Sequence, residues 1–359
     1  MPEFSPKMKT AFEKIGEITY ERKIKAIQPS LKASWEAVNT SSSLDNTLEG
    51  LFGRPIEPHI SLYDSSIPSL DRVNKNACRF CDMEMFLKIK SKVDYDGFRD
   101  EGLLEHDSLD ALDTRGRIVI YLTAMQTARY RTHSFGVLIV KGQCRLLHHT
   151  LSEITVTRAL SISETEHLQT FFWLLSHAFP AQRGIDTTYE LNAANDLDRH
   201  SLNVQHAQPV WLVAAGNREF YVAAPFTRSR IYPIGRGTRC FIAVDKLTMQ
   251  KCVLKDIWRI DAYHAEGEVY AELKKNGVRN IPTILADGEV GSNAKAYHSC
   301  GTFPPGWNVP PSIRRHIHYR IVFGVVGRPL LDFRSTHELS YAILGAVGHG
   351  RGDRGDSVQ

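Results

Sequence analysis

The chain has 359 residues, room for about two domains of ordinary size, and its hydrophobic content of 42% can fill two cores. Its 44 Lys and Arg residues against 40 Asp and Glu residues leave a formal charge of +4, a small and dispersed excess that gives no reason to expect a nucleic-acid partner or an anionic membrane. No apolar run approaches the length of a membrane span, and the six Cys residues lack the spacing of a disulfide framework. We therefore expect an intracellular protein, cytoplasmic or nuclear, with reduced thiols.

Residues 1–50 are predicted to form a helical arm and a linker. Apolar residues from Met8 to Trp35 recur at spacings of three and four among charged residues, a pattern typical of an amphipathic helix, and Pro29 interrupts it. The stretch from Asn39 to Asn46 is rich in Ser, Thr and Asn and is predicted to be a loop.

Residues 51–182 are predicted to form an N-terminal α+β domain. The predicted elements are a strand at Met83–Lys90, a helix at Thr114–Arg131, a hairpin of Ser134–Ile139 and Cys144–His148, a strand within Glu153–Leu160 and a helix at Glu164–Ala178. This order of strands and helices favours the α+β class.

A polar stretch at residues 183–206 is predicted to be a linker, and residues 207–349 are predicted to form a second domain. Its predicted elements are a hairpin of Val210–Ala214 and Glu219–Ala223, two strands within Ile231–Lys255, a helix at Ala265–Leu273, a strand at His318–Val325 and a helix at Ser335–Gly348. Residues 350–359 are predicted to be a disordered tail.

The second domain carries a pattern that indicates a phosphate site. Gly235-Arg236-Gly237 lies between two predicted strands, and Lys255 ends the next predicted strand run. A glycine-rich turn lets backbone amides approach phosphates without interference from a Cβ atom, and a strand Lys supplies the matching positive charge. Cys240 stands where a third glycine would be expected, so this loop should close less tightly over a nucleotide.

A Lys in this role needs a carboxylate on the following helix to hold it. Glu266 is the predicted partner because it lies two helical turns before Leu273 and shares a face with it, whereas Glu268 and Glu272 fall closer to the exposed side. The predicted buried edge of this helix consists of Val269, Tyr270 and Leu273. The alternative is a solvated acidic helix without a site.

Seven segments, in the same order, resemble the fungal-type protein kinase family. They are Arg115-Gly116-Arg117-Ile118, Gln126 to Phe135, Phe172-Trp173, Gly184-Ile185-Asp186-Thr187-Thr188, Leu254-Lys255-Asp256-Ile257-Trp258-Arg259, Asn280-Ile281-Pro282-Thr283 and Gly327-Arg328-Pro329-Leu330, and the similarity covers about residues 50–349. The resemblance implies a protein-kinase-like small lobe, with an incomplete large lobe, after the α+β domain. It also implies transfer of phosphate from ATP to a Ser or Thr hydroxyl with Mg²⁺, the nucleotide being bound by Gly235, Gly237, Lys255 and Glu266.

The residues that complete this chemistry are missing from the end of the sequence. Kinase transfer needs an Asp to orient the substrate hydroxyl, and an Asn and a second Asp to hold magnesium. An H-R-D sequence should follow His349, but the chain continues from Gly350 to Gln359 without one, and no Asn occurs after Asn308. We expect a truncated and inactive family member with no catalytic residue and no metal ligand, and with weak or absent ATP binding.

Asp332-Phe333-Arg334 is not a substitute for the missing magnesium-binding motif. A D-F-G motif follows the catalytic loop, whereas this triplet precedes the last predicted helix and lacks the glycine. Phe333 is therefore expected to be a packing residue.

Two further interpretations of the second domain stay open. In the first, the chain is a non-catalytic, pseudokinase-type interaction module, and a protein partner covers the helix Ser335–Gly348, whose apolar residues lack a large lobe to pack against. These apolar residues are Leu339, Ile343, Leu344 and Val347. In the second, the sequence is an incomplete gene model.

The N-terminal region offers two other candidate sites. Cys78 and Cys81 form a close pair that His298 and Cys300 could complete as a zinc site, although two half-buried thiols fit the pattern better. Pro58-His59, Lys88-Ile89-Lys90 and Gln126 loosely resemble the active site of nucleases of the PD-(D/E)xK type. A His and a Lys stand where such a site needs carboxylates for magnesium, which disfavours nuclease activity.

Overall fold

A computed structural model of the chain describes residues 6–13, 18–45, 56–66, 78–192, 196–205, 208–227, 232–291, 314, 316–328 and 330–347. These residues form two compact units. The first consists of the described residues before 188 together with 232–235 and 314, and the second consists of the rest. Both units combine helices with β-sheet, which confirms the α+β class.

The first unit is built on a seven-stranded sheet. Its strands are β1 (Trp35–Asn39), β2 (Ile60–Asp64), β3 (Met83–Lys90), β4 (Ser134–Val140), β5 (Gln143–His149), β6 (Ile154–Val156) and β7 (Leu160–Ser161). Strands β1 to β6 neighbour one another in chain order, and β7 also pairs with β5. Only β3 and β4 are parallel, so the chain between them must cross over the sheet, and a long helix does this.

The helices of the first unit cover both faces of its sheet. They are α1 (Pro6–Glu13), α2 (Tyr20–Ile27), α3 (Leu109–Ala128) and α4 (His167–His177). Alternate residues of β3 point to opposite faces: Leu87 belongs to the core with α1, α2 and α4, and Phe86 belongs to the core with α3. The N-terminus of α3 is capped by the Ser108 hydroxyl, which accepts from the Ala111 amide at 3.2 Å.

The second unit contains a seven-stranded antiparallel sheet. Its strands are β8 (Tyr189–Asn192), β9 (Val210–Ala215), β10 (Arg218–Val222), β11 (Arg239–Asp245), β12 (Lys251–Ile260), β13 (Ile284–Glu289) and β14 (His316–Phe323), in the spatial order β13-β14-β12-β11-β10-β9-β8. Its helices are α5 (Asp196–Leu202), α6 (Glu266–Lys275) and α7 (Thr336–Val347). Strand β12 lies in the middle of the sheet, which makes its side chains well suited to carry a site.

A buried ion network joins β8 to the centre of this sheet. The fully buried Asp256 carboxylate on β12 accepts hydrogen bonds from Arg320 Nε at 2.8 Å and from the Tyr189 hydroxyl at 2.8 Å. It also lies 2.9 Å from His318 Nε2, and the Arg320 guanidinium donates to Thr188 Oγ1 at 2.6 Å. Burial alone would raise the pKa of Asp256, but His318 and Arg320 outweigh it and hold that pKa well below its usual range.

Many predicted elements are confirmed. Strand β3 has the bounds that the sequence predicted, and the predicted hairpins correspond to β4–β5 and β9–β10. In the first of these, Lys141 and Gly142 both have positive φ values of 42° and 79°, as a two-residue hairpin turn requires. The helices predicted from apolar periodicity are observed as α3, α4, α6 and α7, with shifted ends.

Other predictions differ from the structure. Trp35 begins strand β1 instead of ending a helix, because the Gln28 side chain bonds the backbone of Trp35 at 2.6 Å and of Ala37 at 3.1 Å and so aligns this segment as an edge strand. The single strand expected within Glu153–Leu160 is divided into β6 and β7. The predicted linker at residues 183–206 contains β8 and α5, and the division between the units falls within it.

Two predictions concern exposure and membrane contact. The expectation that Phe333 packs is wrong, since its side chain is 40% exposed. None of the helices in the described part of the chain combines the length and the apolar character needed to cross a bilayer. The predicted tail at residues 350–359 lies outside the described residues.

Candidate functional site

The candidate site in the second unit is centred on an ion pair between Lys255 and Glu266. Lys255 lies on β12, where its register partners are Cys240 on β11 and Ile321 on β14. Its ammonium contacts both carboxylate oxygens of Glu266, at 2.9 and 2.7 Å. The two side chains are 24% and 22% exposed, so the pair is sheltered but still reachable from solvent.

The structure also explains why Glu266, and not a neighbouring acid of the same helix, faces Lys255. Glu266 is the first residue of α6, whereas the side chains of Glu268 and Glu272 are 67% and 63% exposed. Glu268 instead turns back to accept a hydrogen bond from the Ala265 amide at 3.1 Å, which suits an acid in the first turn of a helix. Of the three acids on α6, the structure therefore brings Glu266 into contact with Lys255.

The predicted buried edge of α6 is only partly correct. Val269 is 46% exposed, while Gly267 is the buried residue of the helix and Tyr270 is half-buried. Tyr270 packs in a small core with Ile257, Tyr319 and Ile321, the last two lying on β14. The helix is thus rotated so that Glu266 and Tyr270, one turn apart, face the sheet.

Three residues that sequence reasoning missed hold the start of α6 in place. The Tyr319 hydroxyl accepts a hydrogen bond from the Gly267 amide at 3.0 Å and donates one to Asp287 Oδ2 at 2.6 Å. A Cβ atom at Gly267 would overlap the Asp287 carboxylate and lie 2.7 Å from the Tyr319 hydroxyl. This clamp fixes the helix one residue away from Glu266. The sequence signal for such close packing is a glycine inside a helical pattern. This signal does not identify which residues contact the glycine.

The division between the two units falls between the two glycines of the predicted phosphate loop. Gly235, with φ 138°, is grouped with the first unit, and its amide donates to the Leu151 carbonyl at 2.9 Å. Gly237, with φ 54°, is buried in the second unit next to Arg236, whose carbonyl accepts from the Trp258 amide at 2.7 Å. Both backbone conformations favour glycine. The unit that contains Lys255 and Glu266 therefore contains Gly237 and not Gly235.

Cys240, at the position of the missing third glycine, lies directly beside Lys255 in the register of β11 and β12. Its thiol is half-buried, and burial raises its pKa, while the charge of Lys255 acts in the opposite direction. Cys240 is therefore a neutral thiol at neutral pH and adds no charge to the site.

The segment after β14 leads to α7, the last helix among the described residues. The Gly324 amide donates to the Thr283 carbonyl at 2.8 Å, and Val325 and Val326 are 53% and 41% exposed. Beyond it, α7 carries three exposed apolar side chains: Tyr341, Ile343 and Leu344, at 75%, 48% and 68%. The Asn280 side chain donates to the Gly345 carbonyl of this helix at 3.1 Å.

The described residues contain no group of three or more His, Cys, Asp and Glu side chains arranged to hold a metal ion. Cys78 is buried and Cys81 is half-buried, and burial raises the pKa of both thiols. His298 and Cys300, the residues that could complete a zinc site, lie outside the described residues. Of the positions compared with a nuclease site, His59 and Lys88 lie together, whereas the buried Gln126 donates to the His149 carbonyl at 3.0 Å.

Comparison with known proteins gives one match. The family model described as fungal protein kinase matches residues 110–309, more than half of the chain. This range begins within α3 of the first unit and includes Lys255, Glu266 and all of α6. Searches of curated proteins and of solved structures each found no match.

Proposed function

This chain belongs to the fungal protein kinase family, and from that premise we propose that its second unit binds the phosphates of ATP through Lys255, held in position by Glu266. The observation that carries the proposal is the contact of the Lys255 ammonium with both oxygens of Glu266, at 2.9 and 2.7 Å. In protein kinases a strand Lys and a helix Glu form such a pair, and the Lys contacts nucleotide phosphates.

The role of each residue follows from its charge and position. Lys255 supplies a compact positive charge with three N–H donors, which suits phosphate oxygens. Glu266 restricts the position of the Lys255 ammonium, so that less conformational freedom is lost when a ligand binds. The clamp of Tyr319 on Gly267 keeps the start of α6, and hence Glu266, at a fixed distance from the sheet. Phosphate contacts by Gly235 and Gly237 remain predictions from the sequence alone.

Magnesium, which the family uses with ATP, would neutralise charge on the phosphates when bound. The described residues do not fit it, because they offer no group of three side chains that could hold a metal ion. We propose that these 359 residues do not transfer phosphate by themselves, since the sequence has no H-R-D run after α7 and no Asn after Asn308. Incubation with Mg²⁺ and labelled ATP should give no turnover, and appreciable turnover would refute this part of the proposal.

ATP binding can be tested by calorimetric titration of the whole chain and its variants. Lys255→Met should weaken binding at least about tenfold, which corresponds to about 1.4 kcal/mol, because the phosphates lose their ammonium partner. Glu266→Gln should weaken it less, since Lys255 stays but is no longer held. The matched control is Lys246→Met, which removes a second Lys of the same unit whose ammonium pairs with Glu219 at 2.6 Å on the surface. If the Lys255→Met variant and the unchanged chain bind ATP with equal affinity, the proposal is refuted.

A second candidate function, docking of a protein partner on α7, is favoured by the exposure of Tyr341, Ile343 and Leu344 on that helix. Three large apolar side chains exposed on one helix are typical of an interaction surface. Replacement of Leu344 by Glu should release such a partner in a pull-down. Leu247→Glu is the control, because Leu247 is 87% exposed on a turn of the same unit. If the unchanged chain, the Leu344→Glu variant and the Leu247→Glu variant all recover the same proteins, this function is excluded.

A further inference from the structure

A cluster of basic side chains in the first unit is separate from the candidate kinase site. Lys88 and Lys90 lie on the face of β3 that α3 covers, and Arg117 and Tyr121 lie one turn apart on α3. His59 precedes β2, and its Nε2 lies 3.2 Å from the Lys88 ammonium nitrogen. We call these five residues the basic cluster.

The hydrogen bonds of His59 determine its tautomer. The Ile89 backbone amide, which can only donate, points to His59 Nδ1 at 2.9 Å. Nδ1 is therefore unprotonated, and a neutral imidazole must then carry its proton on Nε2. This N–H faces Lys88 Nζ, so the bond forms only when the lysine nitrogen offers a lone pair. The geometry thus points to an uncharged Lys88 amine, which donates in turn to the Tyr121 hydroxyl at 3.4 Å.

The charges around Lys88 favour the uncharged amine relative to a lysine in water, and this form becomes the major one above about pH 8. Lys88 is 4% exposed, and among the described residues no carboxylate lies within ion-pair distance of it. Burial, and then the charges of Arg117 and Lys90, lower the pKa of Lys88 to about 8. Burial, and then the charge of Lys88, lower the pKa of His59 to about 3, so its imidazole is neutral. Glu57 and Asp113 act in the opposite direction from a longer distance, so among the described residues no carboxylate is in contact with the Lys88 ammonium nitrogen.

We propose that the basic cluster binds a phosphate group, with Lys88 at the centre and Lys90 and Arg117 at the half-buried edge. A phosphate dianion would place a negative charge in direct contact with Lys88, which Glu57 and Asp113 influence only from beyond ion-pair distance, and its oxygens would accept from the Lys88 amine and the His59 Nε2–H. The carboxylate of Asp113 does not fill this role, because it forms two hydrogen bonds with Arg117 Nε, at 3.1 and 2.8 Å. The cations at these positions also explain why magnesium-dependent nuclease chemistry does not fit here.

Phosphate binding should be linked to proton uptake by Lys88. A bound anion favours the ammonium form, so the complex holds a proton that the empty site releases as the pH rises above about 8. Affinity should then fall as the pH increases from 8 to 9.5, by up to about tenfold per pH unit. The titratable and charged groups that act on Lys88 and could add to this dependence are Glu57 and His59 before β2, Lys90 of β3, and Asp113, Arg117 and Tyr121 of α3, while Lys23 and Tyr20 of α2 lie near His59.

The test is calorimetric titration of the chain with inorganic phosphate, in the Lys255→Met background so that the proposed ATP site does not contribute. At pH 8.5, titrations in two buffers of different ionisation enthalpy should show uptake of a proton. Lys88→Met should weaken binding at least tenfold and abolish the proton uptake, whereas Lys92→Met, at an exposed position beyond β3, should change neither. Phosphate binding that is absent in the Lys255→Met chain, or unchanged by Lys88→Met, would overturn the proposal.

A second measurement keeps the proposal testable if Lys88→Met fails to fold. The ¹⁵N chemical shifts of His59 in the Lys255→Met chain should show the Nε2–H tautomer from pH 6 to pH 8 and should move on addition of phosphate. Protonation of His59 near pH 6.5 would contradict the arrangement. Chemical shifts of His59 that do not change when phosphate is added would also contradict it. Glycerol phosphate in place of inorganic phosphate distinguishes the two sources: tighter binding would indicate a phosphate ester, and equal binding would indicate the free ion.

Discussion

Lys255 and Asp256 are neighbours on β12, and their side chains leave the sheet on opposite faces. Lys255 reaches Glu266 on α6 at a half-exposed surface, while Asp256 is fully buried against His318 and Arg320. The alternation follows from the two-residue period of a strand. One position therefore carries the charge available to a ligand, and the next carries a charge that holds the sheet together.

Replacement of Asp256 by Asn should destabilise the second unit by about 3–5 kcal/mol, because Arg320 would be left as a buried charge without its partner. Chemical unfolding followed by Trp fluorescence measures the change. Glu219→Gln, which alters an exposed ion pair of the same sheet, should cost less than about 1 kcal/mol. A similar small loss for both variants would show that the network contributes little.

The contribution of Asp256 should depend on pH in a defined direction. Its pKa in the folded protein lies below the ordinary Asp value of 3.8, so its stabilising effect is fully present above that value and is lost as the pH falls toward the folded pKa. The difference in unfolding free energy between the unchanged chain and Asp256→Asn should therefore be constant from pH 8 to about pH 5 and should shrink below about pH 4. Unfolding curves collected across this range test it, and a difference that grows on acidification would contradict the assignment.

Two glycine-to-alanine substitutions in helices should have opposite effects. Gly116 on α3 is exposed, and an added Cβ would meet nothing within 4 Å, so Gly116→Ala should stabilise the protein by about 0.5–1 kcal/mol. Gly267→Ala brings the same gain in helix propensity but forces the added Cβ into the Asp287 carboxylate, so it should be destabilising by about 1–3 kcal/mol. Thermal unfolding of both variants gives the comparison. Stabilisation by Gly267→Ala would show that the clamp on α6 is loose.

Tyr319→Phe should loosen the start of α6 without altering either charge of the proposed site. The change removes the acceptor for the buried Gly267 amide and the donor to Asp287, and should cost about 1–3 kcal/mol of stability. If the clamp positions Glu266, ATP affinity should fall as well, and calorimetric titration measures this. Unchanged affinity with reduced stability would mean that Tyr319 supports the fold alone.

Sequence reasoning predicted the elements whose patterns are local. The alternation in β3, the Lys141-Gly142 turn and the periodicity of α3 depend on neighbours in the chain, and each was found where expected. Trp35 was assigned to a helix because the spacing of apolar residues is a local pattern. This pattern contains no information about the pairing of the segment with the distant strand β2. Long-range pairing overrode the local pattern.

For the candidate site, the partner of Lys255 could be predicted because Glu266 follows from helix geometry. The Tyr319 clamp could not, since it joins α6, β13 and β14 through contacts distant in sequence. The burial of Val269 was predicted incorrectly for a related reason: the rotation of α6 is set by Gly267 packing against Asp287, and the apolar residues of the helix do not reveal this.

The attachment of β8 to the Asp256 network bears on how this protein can be dissected in the laboratory. A recombinant fragment begun at residue 207, where the sequence alone suggested a domain start, would lack Tyr189 and Thr188, so the buried Asp256 and Arg320 would each lose a hydrogen bond. It would also uncover the unpaired edge of β9, a template for aggregation. Cloning of the kinase-like portion should therefore begin upstream of Thr188.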